Sequence, residues 1–280
     1  MPPSANAVKR AAVMTHGRAE RIGPALERLE ALADRLGVEL LLAPEELGKH
    51  GRDESDGPLH TADLAIVLGG DGTMLRALRR FLGTGIPAVG VNFGHVGFLT
   101  AISDDELEAG LRRIFQGEYQ VVELPTLEVE AAGERRDAVN DVVATSSTLG
   151  RMVELAWSVG GEPLGTQHCD GLVCAAPSGS TAYNLSNGGP VLVWGLDAMA
   201  VTFVAPHSLK ARPLVVPRGR DLVVTNETHG VGVTAVADGH AFAQLEPGDS
   251  LSVRLGPQPS LLATLPGTTF FTRYRTTFTD

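Results

Sequence analysis

Three rhythms of apolar and polar positions run along this chain. Residues 8–14, 38–42, 64–68 and 87–91 are short, nearly unbroken aliphatic runs. That is the pattern of strands covered on both faces of a parallel sheet. Between the first two, residues 19–36 set Ile22, Leu26, Leu29 and Leu36 along one helical stripe, and Gly37 stands where such a helix would stop. After the third run, Met74, Leu75, Leu78 and Leu82 repeat the stripe. Strand, helix and strand in this order predict a parallel sheet with helical crossovers. Residues 44–63 are polar with scattered glycines and predict a loop. Residues 103–106, Ser-Asp-Asp-Glu, have the form of a capping box opening a helix to about residue 116.

From Tyr119 the rhythm changes. Segments 121–129, 138–145, 152–159, 172–175, 222–225, 231–236 and 251–255 are short, rich in β-branched residues and parted by Gly, Pro or Asn. They predict an all-β region of sandwich type with one helical insertion near 181–187. The expected architecture is an α/β N-terminal domain with a mostly parallel sheet (1–118), followed by an all-β sandwich-like C-terminal domain (119–262). A tail (263–280) is expected to pack back on the α/β domain. A ligand cleft is expected between the two domains.

Where the third aliphatic run ends, the chain reads Gly69-Gly70-Asp71-Gly72-Thr73. Glycines here let a backbone approach a ligand or take up φ > 0. The free N–H groups of the following helix attract phosphate oxygens. An acidic residue set among them can accept a proton; its blander reading is a helix N-cap. A Walker loop is excluded because no lysine follows; the chain has only Lys9, Lys49 and Lys210. The dinucleotide fingerprint fails because its last glycine would fall on Leu75. The loop at 92–100, after the fourth run, is a candidate wall of the same site.

Three polar stretches interrupt the β region. Asn140-Asp141 pairs an amide with a carboxylate, suited to the vicinal hydroxyls of a ribose, although Asn-Asp is also a common turn. Residues 170–186 read as a strand, a small-residue loop and a helix start. Ser178 to Thr181 there offer hydroxyls and N–H groups to an anion, and Tyr183 offers a ring to a base; the blander reading is a helix cap with a core tyrosine. The third stretch, 207–213, contains Lys210 and Arg212 and otherwise reads as a surface loop.

Composition narrows the partners. The chain has 280 residues, 43% of them hydrophobic, and a net charge of -10. That balance disfavours a nucleic-acid surface but leaves room for an anionic small ligand at a locally basic site. No apolar run reaches the ~18 residues of a membrane span, and no signal-peptide pattern opens the chain. Cys169 and Cys174, at odd spacing, would face opposite ways on one strand, which argues against a disulfide and suits a reducing cytoplasm.

Together, GGDGT at 69–73, ND at 140–141, DGLVCAAPSGSTAYNLSNGGP at 170–190 and HSLKARPLV at 207–215 resemble the NAD kinase family. GGDG alone is shared with diacylglycerol, sphingosine and 6-phosphofructokinase-type kinases; the GSTAY block is far more specific. The resemblance implies phosphorylation of the adenosine ribose 2′-hydroxyl of NAD to give NADP. ATP or polyphosphate would be the donor, Mg²⁺ or another divalent cation would screen the phosphates, and the protein would work in the cytoplasm as a homodimer or homotetramer. It implies Asp71 as the catalytic aspartate, contacting nucleotide with Gly72, and Gly69, Gly70, Gly72 and Thr73 as the phosphate-donor loop. Arg76 would meet a phosphate, Asn140 and Asp141 the adenosine ribose, Arg151 would be a basic contact and Asp170 would lie near the nicotinamide. Thr181, Ala182, Tyr183, Asn184, Leu185 and Ser186 would form the adenine and ribose pocket. His168, at a position often Arg, and His240, at one often Gln, depart from relatives. The alternatives are a lipid kinase sharing GGDG, which would need an apolar cleft, and a non-catalytic NAD-binding module, which would not need Asp71.

Overall fold

The computed structural model describes residues 7–17, 19–43, 46, 58–94 and 97–279. Of the expected 44–63 loop, residues 44, 45 and 47–57 lie outside the described residues, as do His95 and Val96. The chain divides into two compact units: residues 1–123 with 260–280, and residues 124–259.

In the first unit, β1 (Arg10–Thr15), β2 (Glu39–Leu42), β3 (Leu64–Leu68), β4 (Ala88–Asn92), β5 (Ile102–Ser103), β6 (Gln120–Leu124) and β19 (Ser260–Thr264) form a seven-stranded sheet. Its order is β2-β1-β3-β4-β19-β6, with β5 beside β4. β1 runs parallel to β2 and β3, and β4 parallel to β3, β5 and β19. All five residues of β3 are buried, as an aliphatic run covered on both faces should be. Helices α1 (Ala19–Leu36), α2 (Asp71–Arg80) and α3 (Leu107–Phe115) complete the crossovers. Gly37 adopts φ 68° at the end of α1, a conformation that costs a residue with a Cβ. The capping box does not form: residues 104–106 make a turn of 3₁₀ helix before α3, and Ser103 Oγ donates to the Glu106 carboxylate instead of capping a backbone N–H. Helix α5 (Phe270–Phe278) follows β19 and has a true Thr269–Thr272 box.

The second unit is two six-stranded antiparallel sheets. One contains β7 (Leu127–Ala131), β8 (Glu134–Ala138), β10 (Val153–Val159), β11 (Glu162–Cys169), β15 (Leu222–Asn226) and β18 (Ser250–Leu255). The other contains β9 (Asp141–Ser146), β12 (Gly171–Ala175), β13 (Ala198–Val204), β14 (Leu214–Pro217), β16 (Val233–Ala237) and β17 (His240–Leu245). Side chains of both sheets, among them Leu127, Leu155, Val253, Leu172, Val201 and Val233, share one core. This is the sandwich expected from short β-branched segments.

Four expectations need correction. Segment 121–129 is two strands in different sheets, because Pro125 cannot donate to a ladder. Segment 138–145 likewise breaks at Asn140. The boundaries at 118/119 and 262/263 move, since β6 and β19 both belong to the first unit's sheet. Finally, Cys169 and Cys174 lie on successive strands and point into the same core as free thiols, so spacing along one strand was the wrong geometry. Burial pushes the Cys169 thiol up to about 12, far from a reactive thiolate.

Candidate active site

β3 delivers Gly69-Gly70 to the start of α2, whose N-cap is Gly70 and whose first residue is Asp71. Asp71 is therefore not the cap. Its carboxylate turns to the loop after β4 and accepts hydrogen bonds from the N–H of Phe98 (2.8 Å) and of Leu99 (3.2 Å). The fit is tight at Gly97, where a Cβ would come 2.1 Å from Asp71 Oδ1. An ionised carboxylate has about four acceptor positions, so two are left for a ligand.

The glycines before it work by space, not by handedness. None of Gly69, Gly70 and Gly72 has a left-handed φ. A Cβ on Gly69 would meet Thr73 Oγ1 at 2.6 Å, so that glycine accommodates Thr73. A Cβ on Gly70 or Gly72 would meet nothing within 4 Å. These two face a cavity of about 760 Å³ lined also by His16, Thr73, Arg76, Asn92 and Phe93. Arg76 donates to the Thr15 carbonyl at 3.0 Å, which fixes a cation on the cavity wall. The wall combines this cation with the apolar side chains of Ile22 and Phe93.

A second cluster forms in the β unit. Asp238, 7% exposed and held at φ 46°, accepts from the N–H of Val139 (2.9 Å), Asn140 (2.8 Å) and Asp141 (3.2 Å). On the other side, Asn140's carbonyl accepts from Ala176 N–H at 2.8 Å, and Ser178 Oγ donates to the Val139 carbonyl. Gly179 packs so closely that a Cβ there would lie 2.1 Å from the Asn140 carbonyl oxygen. The pair at 140–141 is thus clamped between two segments. Among the described residues the buried Asn140 Oδ1 has no partner, and an orphan acceptor of this kind fits a ligand donor. Burial, reinforced by the charge of Asp238, pushes the Asp141 carboxyl up to about 6.

The 178–186 block is a 3₁₀ turn at Gly179–Thr181 and the one-turn helix α4 (Tyr183–Ser186), shorter than the expected 181–187 insertion. Ala182, Tyr183 and Ser186 are exposed, Tyr183 at 45%, while Thr181 and Leu185 are half-buried. Asn184 is different. It is fully buried, donates to the Ser180 and Pro190 carbonyls and accepts from Thr202 Oγ1 at 2.7 Å, so it braces the loop from within. Asp170 and Arg151 do not join this cluster. The register pairs Gly171 with Thr145 and Ala175 with Asp141, which leaves Asp170 about 17 Å along β12 from Asp141 at ~3.3 Å per residue. Arg151, exposed in the loop after β9, lies beyond that same far end.

Asp238 and Arg273 are not among the site residues that the sequence predicts, and Gly97 enters only as part of the 92–100 wall. Arg273, on α5, carries a charge that interacts with Asp71. Only Asp238 had a local signal, its place in an Asp-Gly turn; the other two act across long stretches of chain.

A large cavity at a strand-to-helix turn, a carboxylate on the same turn held by backbone N–H groups, and, in the second unit, a clamped amide–carboxylate pair suit a nucleotide-handling phosphotransferase. Comparison with known proteins agrees. Residues 55–119 match the ATP-NAD kinase N-terminal domain and residues 139–265 the ATP-NAD kinase C-terminal domain. The chain is 39% identical over 221 residues to the NAD kinase of Gemmatimonas aurantiaca, covering 76% of each. It is 38% identical over 255 residues to that of Symbiobacterium thermophilum, covering 88% of this chain and 89% of the other. Among solved structures, an NAD kinase from Archaeoglobus fulgidus in complex with ATP superposes with a TM-score of 0.75 at 26% identity, covering 96% and 97% of the two chains. Yeast NADH kinase complexed with NADH shares the fold, with a TM-score of 0.84 at 20% identity over 98% of this chain and 89% of that one. The chain belongs to the NAD kinase family.

Proposed function

We propose that this protein transfers the terminal phosphoryl group of ATP to the adenosine ribose 2′-hydroxyl of NAD, with Asp71 as general base. The 2′-oxygen attacks the γ-phosphorus, the bond to the bridging oxygen breaks to release ADP, and the hydroxyl proton passes to the Asp71 carboxylate. Phosphoryl transfer asks little covalent work of a protein and much alignment. The observation that carries the reading is the carboxylate of Asp71, held by two N–H donors and a glycine contact beside the open Gly70–Gly72 wall. A carboxylate placed to cap a helix would need neither.

Gly70, Gly72 and Arg76 face the donor phosphates in this reading, with Gly69 and Thr73 shaping the loop behind them. Asn140 and Asp141 take the ribose hydroxyls of the acceptor. Tyr183, with Thr181, Ala182, Leu185 and Ser186, takes its base, while Asn184 acts by bracing that loop. For Asp170 and Arg151 the assignment rests on resemblance alone. Among the described residues no three His, Cys, Asp or Glu side chains gather into a cation cage. Mg²⁺ or another divalent cation, bound at the donor phosphates, would supply neutralisation of their charge. Among the described residues no helix is long and apolar enough to cross a membrane. The two free thiols suit the cytoplasm. Exposed Leu214 and Val215 on the edge strand β14 suit a homo-oligomer, a dimer or tetramer.

The test is NADP formation from NAD with Mg²⁺-ATP, detected by an NADP-specific dehydrogenase and repeated with polyphosphate and with NADH. NADP should accumulate with ATP. No product with either donor would overturn the proposal.

A further inference from the structure

The C-terminal helix carries a feature that the reaction as described does not use. Phe270, Arg273, Tyr274 and Phe278 recur at helical spacing on α5, so one face of this helix presents three rings and one cation. The rings are occupied. Phe98 stacks on Phe270 at 5.9 Å and on Phe278 at 5.5 Å between centroids, and Tyr274 meets Phe278 at 5.0 Å. Phe98 is also the residue whose N–H holds Asp71. The aromatic face of α5 therefore grips the loop that grips the base.

Arg273 lies within that face, where a charged group is costly unless an opposite charge answers it. Its Nε is buried without a hydrogen-bond partner among the described residues. Burial holds its guanidinium below the ordinary arginine value, and the carboxylate of Asp71 draws it back up. The 69–73 loop has no lysine, and Arg76 is already tied to the Thr15 carbonyl.

We propose that Arg273 is a positioning residue for Asp71: carried by the aromatic clasp of α5 on Phe98, its guanidinium is the fixed positive charge that aims the base's carboxylate. This rests on the reading of Asp71 as base. It adds a long-range element, since a helix some 200 residues downstream by the numbering sets the base.

The experiment compares Arg273→Met, Arg273→Lys and Asp71→Asn in the full-length enzyme. Steady-state kinetics and NAD binding by titration calorimetry are measured for each. Methionine keeps an unbranched apolar stem in the aromatic face and removes the guanidinium with its charge and N–H donors. Arg273→Met should lower kcat about 10- to 100-fold, with KM for NAD, NAD affinity and the melting temperature close to the parent's. Arg273→Lys should recover most of that loss, and guanidinium ion at millimolar concentration should raise the kcat of Arg273→Met. An unchanged kcat in Arg273→Met would overturn the inference. So would a kcat loss that neither lysine nor guanidinium restores, or one that comes with an equal loss of melting temperature, since both are signs of packing alone. Asp71→Asn separates the two claims: full activity there removes the base itself, whereas an inactive Asp71→Asn with a fully active Arg273→Met removes only the role of Arg273.

Discussion

Asp141→Asn should make this protein more stable at neutral pH and worse at holding NAD. Asp141 is 7% exposed and faces a second buried carboxylate, Asp238, whose three N–H partners keep it in place. Burial first, and that neighbour second, raise the Asp141 carboxyl from 3.8 to about 6. A folded-state value above the unfolded one means that the native protein prefers the protonated form. The sign follows from linkage. Below about pH 4 both states are protonated and no penalty exists. Between pH 4 and 6 the unfolded chain ionises first and stability falls. Above pH 6 the full penalty is present, about 3 kcal/mol for two units at 1.36 kcal/mol each. Asparagine has the same shape and does not titrate. Urea unfolding of parent and variant at pH 4.5, 6 and 8, followed by a β-sheet signal, should show the variant gaining stability over the parent as pH rises. The gain should approach 2–3 kcal/mol at pH 8. Calorimetric titration at pH 8 should show NAD affinity lower by roughly 1–3 kcal/mol, the scale of a charge-assisted hydrogen bond. A stability difference that does not change with pH would refute the claim that Asp141 is an ionised, buried group held for a ligand.

Three other outcomes follow from the same geometry. Asp71→Asn should keep NAD binding and the melting temperature while kcat falls about 10²- to 10⁴-fold, the range for losing a general base; a kcat within threefold of the parent would remove Asp71 from the chemistry. Gly97→Ala places a methyl where Asp71's carboxylate now lies, so kcat should fall at least tenfold with NAD affinity unchanged, as read by kinetics and calorimetry. Tyr183→Ala removes an exposed ring and should weaken NAD binding by roughly 1–3 kcal/mol, the scale of one base–aromatic stack, with little change in thermal stability because 45% of that residue faces solvent.

The parts of the molecule legible in the sequence are those whose signal is local. β3 is five aliphatic residues followed by two glycines, and a strand buried on both faces has no other way to be written. α1 carries its stripe and its glycine stop, and both fall where expected. The turn at 69–73 is legible as a strand-to-helix junction, but the reason for its glycines is not: φ > 0 is the cause the sequence offers, and open space at Gly70 and Gly72 is the observed one. The rest depends on partners far along the chain. Residues 260–264 are apolar enough to be a strand, yet nothing in them says that they return to the first sheet beside β4. Gly97 is one loop glycine among many until Asp71 is placed 2.1 Å from its missing Cβ. Asn184, inside the GSTAYN block, looked like a ligand contact; three internal hydrogen bonds show it to be a brace.

In a protein with a net charge of -10, carboxylates inside the fold need an answering partner, and two of them find it in backbone N–H groups. Asp71 and Asp238 show one device used for opposite ends. Each carboxylate is held by consecutive backbone N–H groups, Phe98–Leu99 in one case and Val139–Asn140–Asp141 in the other. Asp238 is buried and uses three donors, so its charge is satisfied within the fold and its work is to shape the strand entrance where Asp141 stands. Asp71 is only half-buried and uses two, so its remaining lone pairs face outward. On the proposed reading of Asp71 as base, the number of donors and the depth of burial separate a carboxylate that builds a site from one that acts in it. By the same measure Asp141 lies between them: buried like Asp238, with no N–H donor to its side chain among the described residues, and raised in pKa by burial and by the charge of Asp238. A carboxylate left in that condition gains most from a ligand that brings hydroxyl donors, and the two adjacent hydroxyls of a ribose are such a ligand.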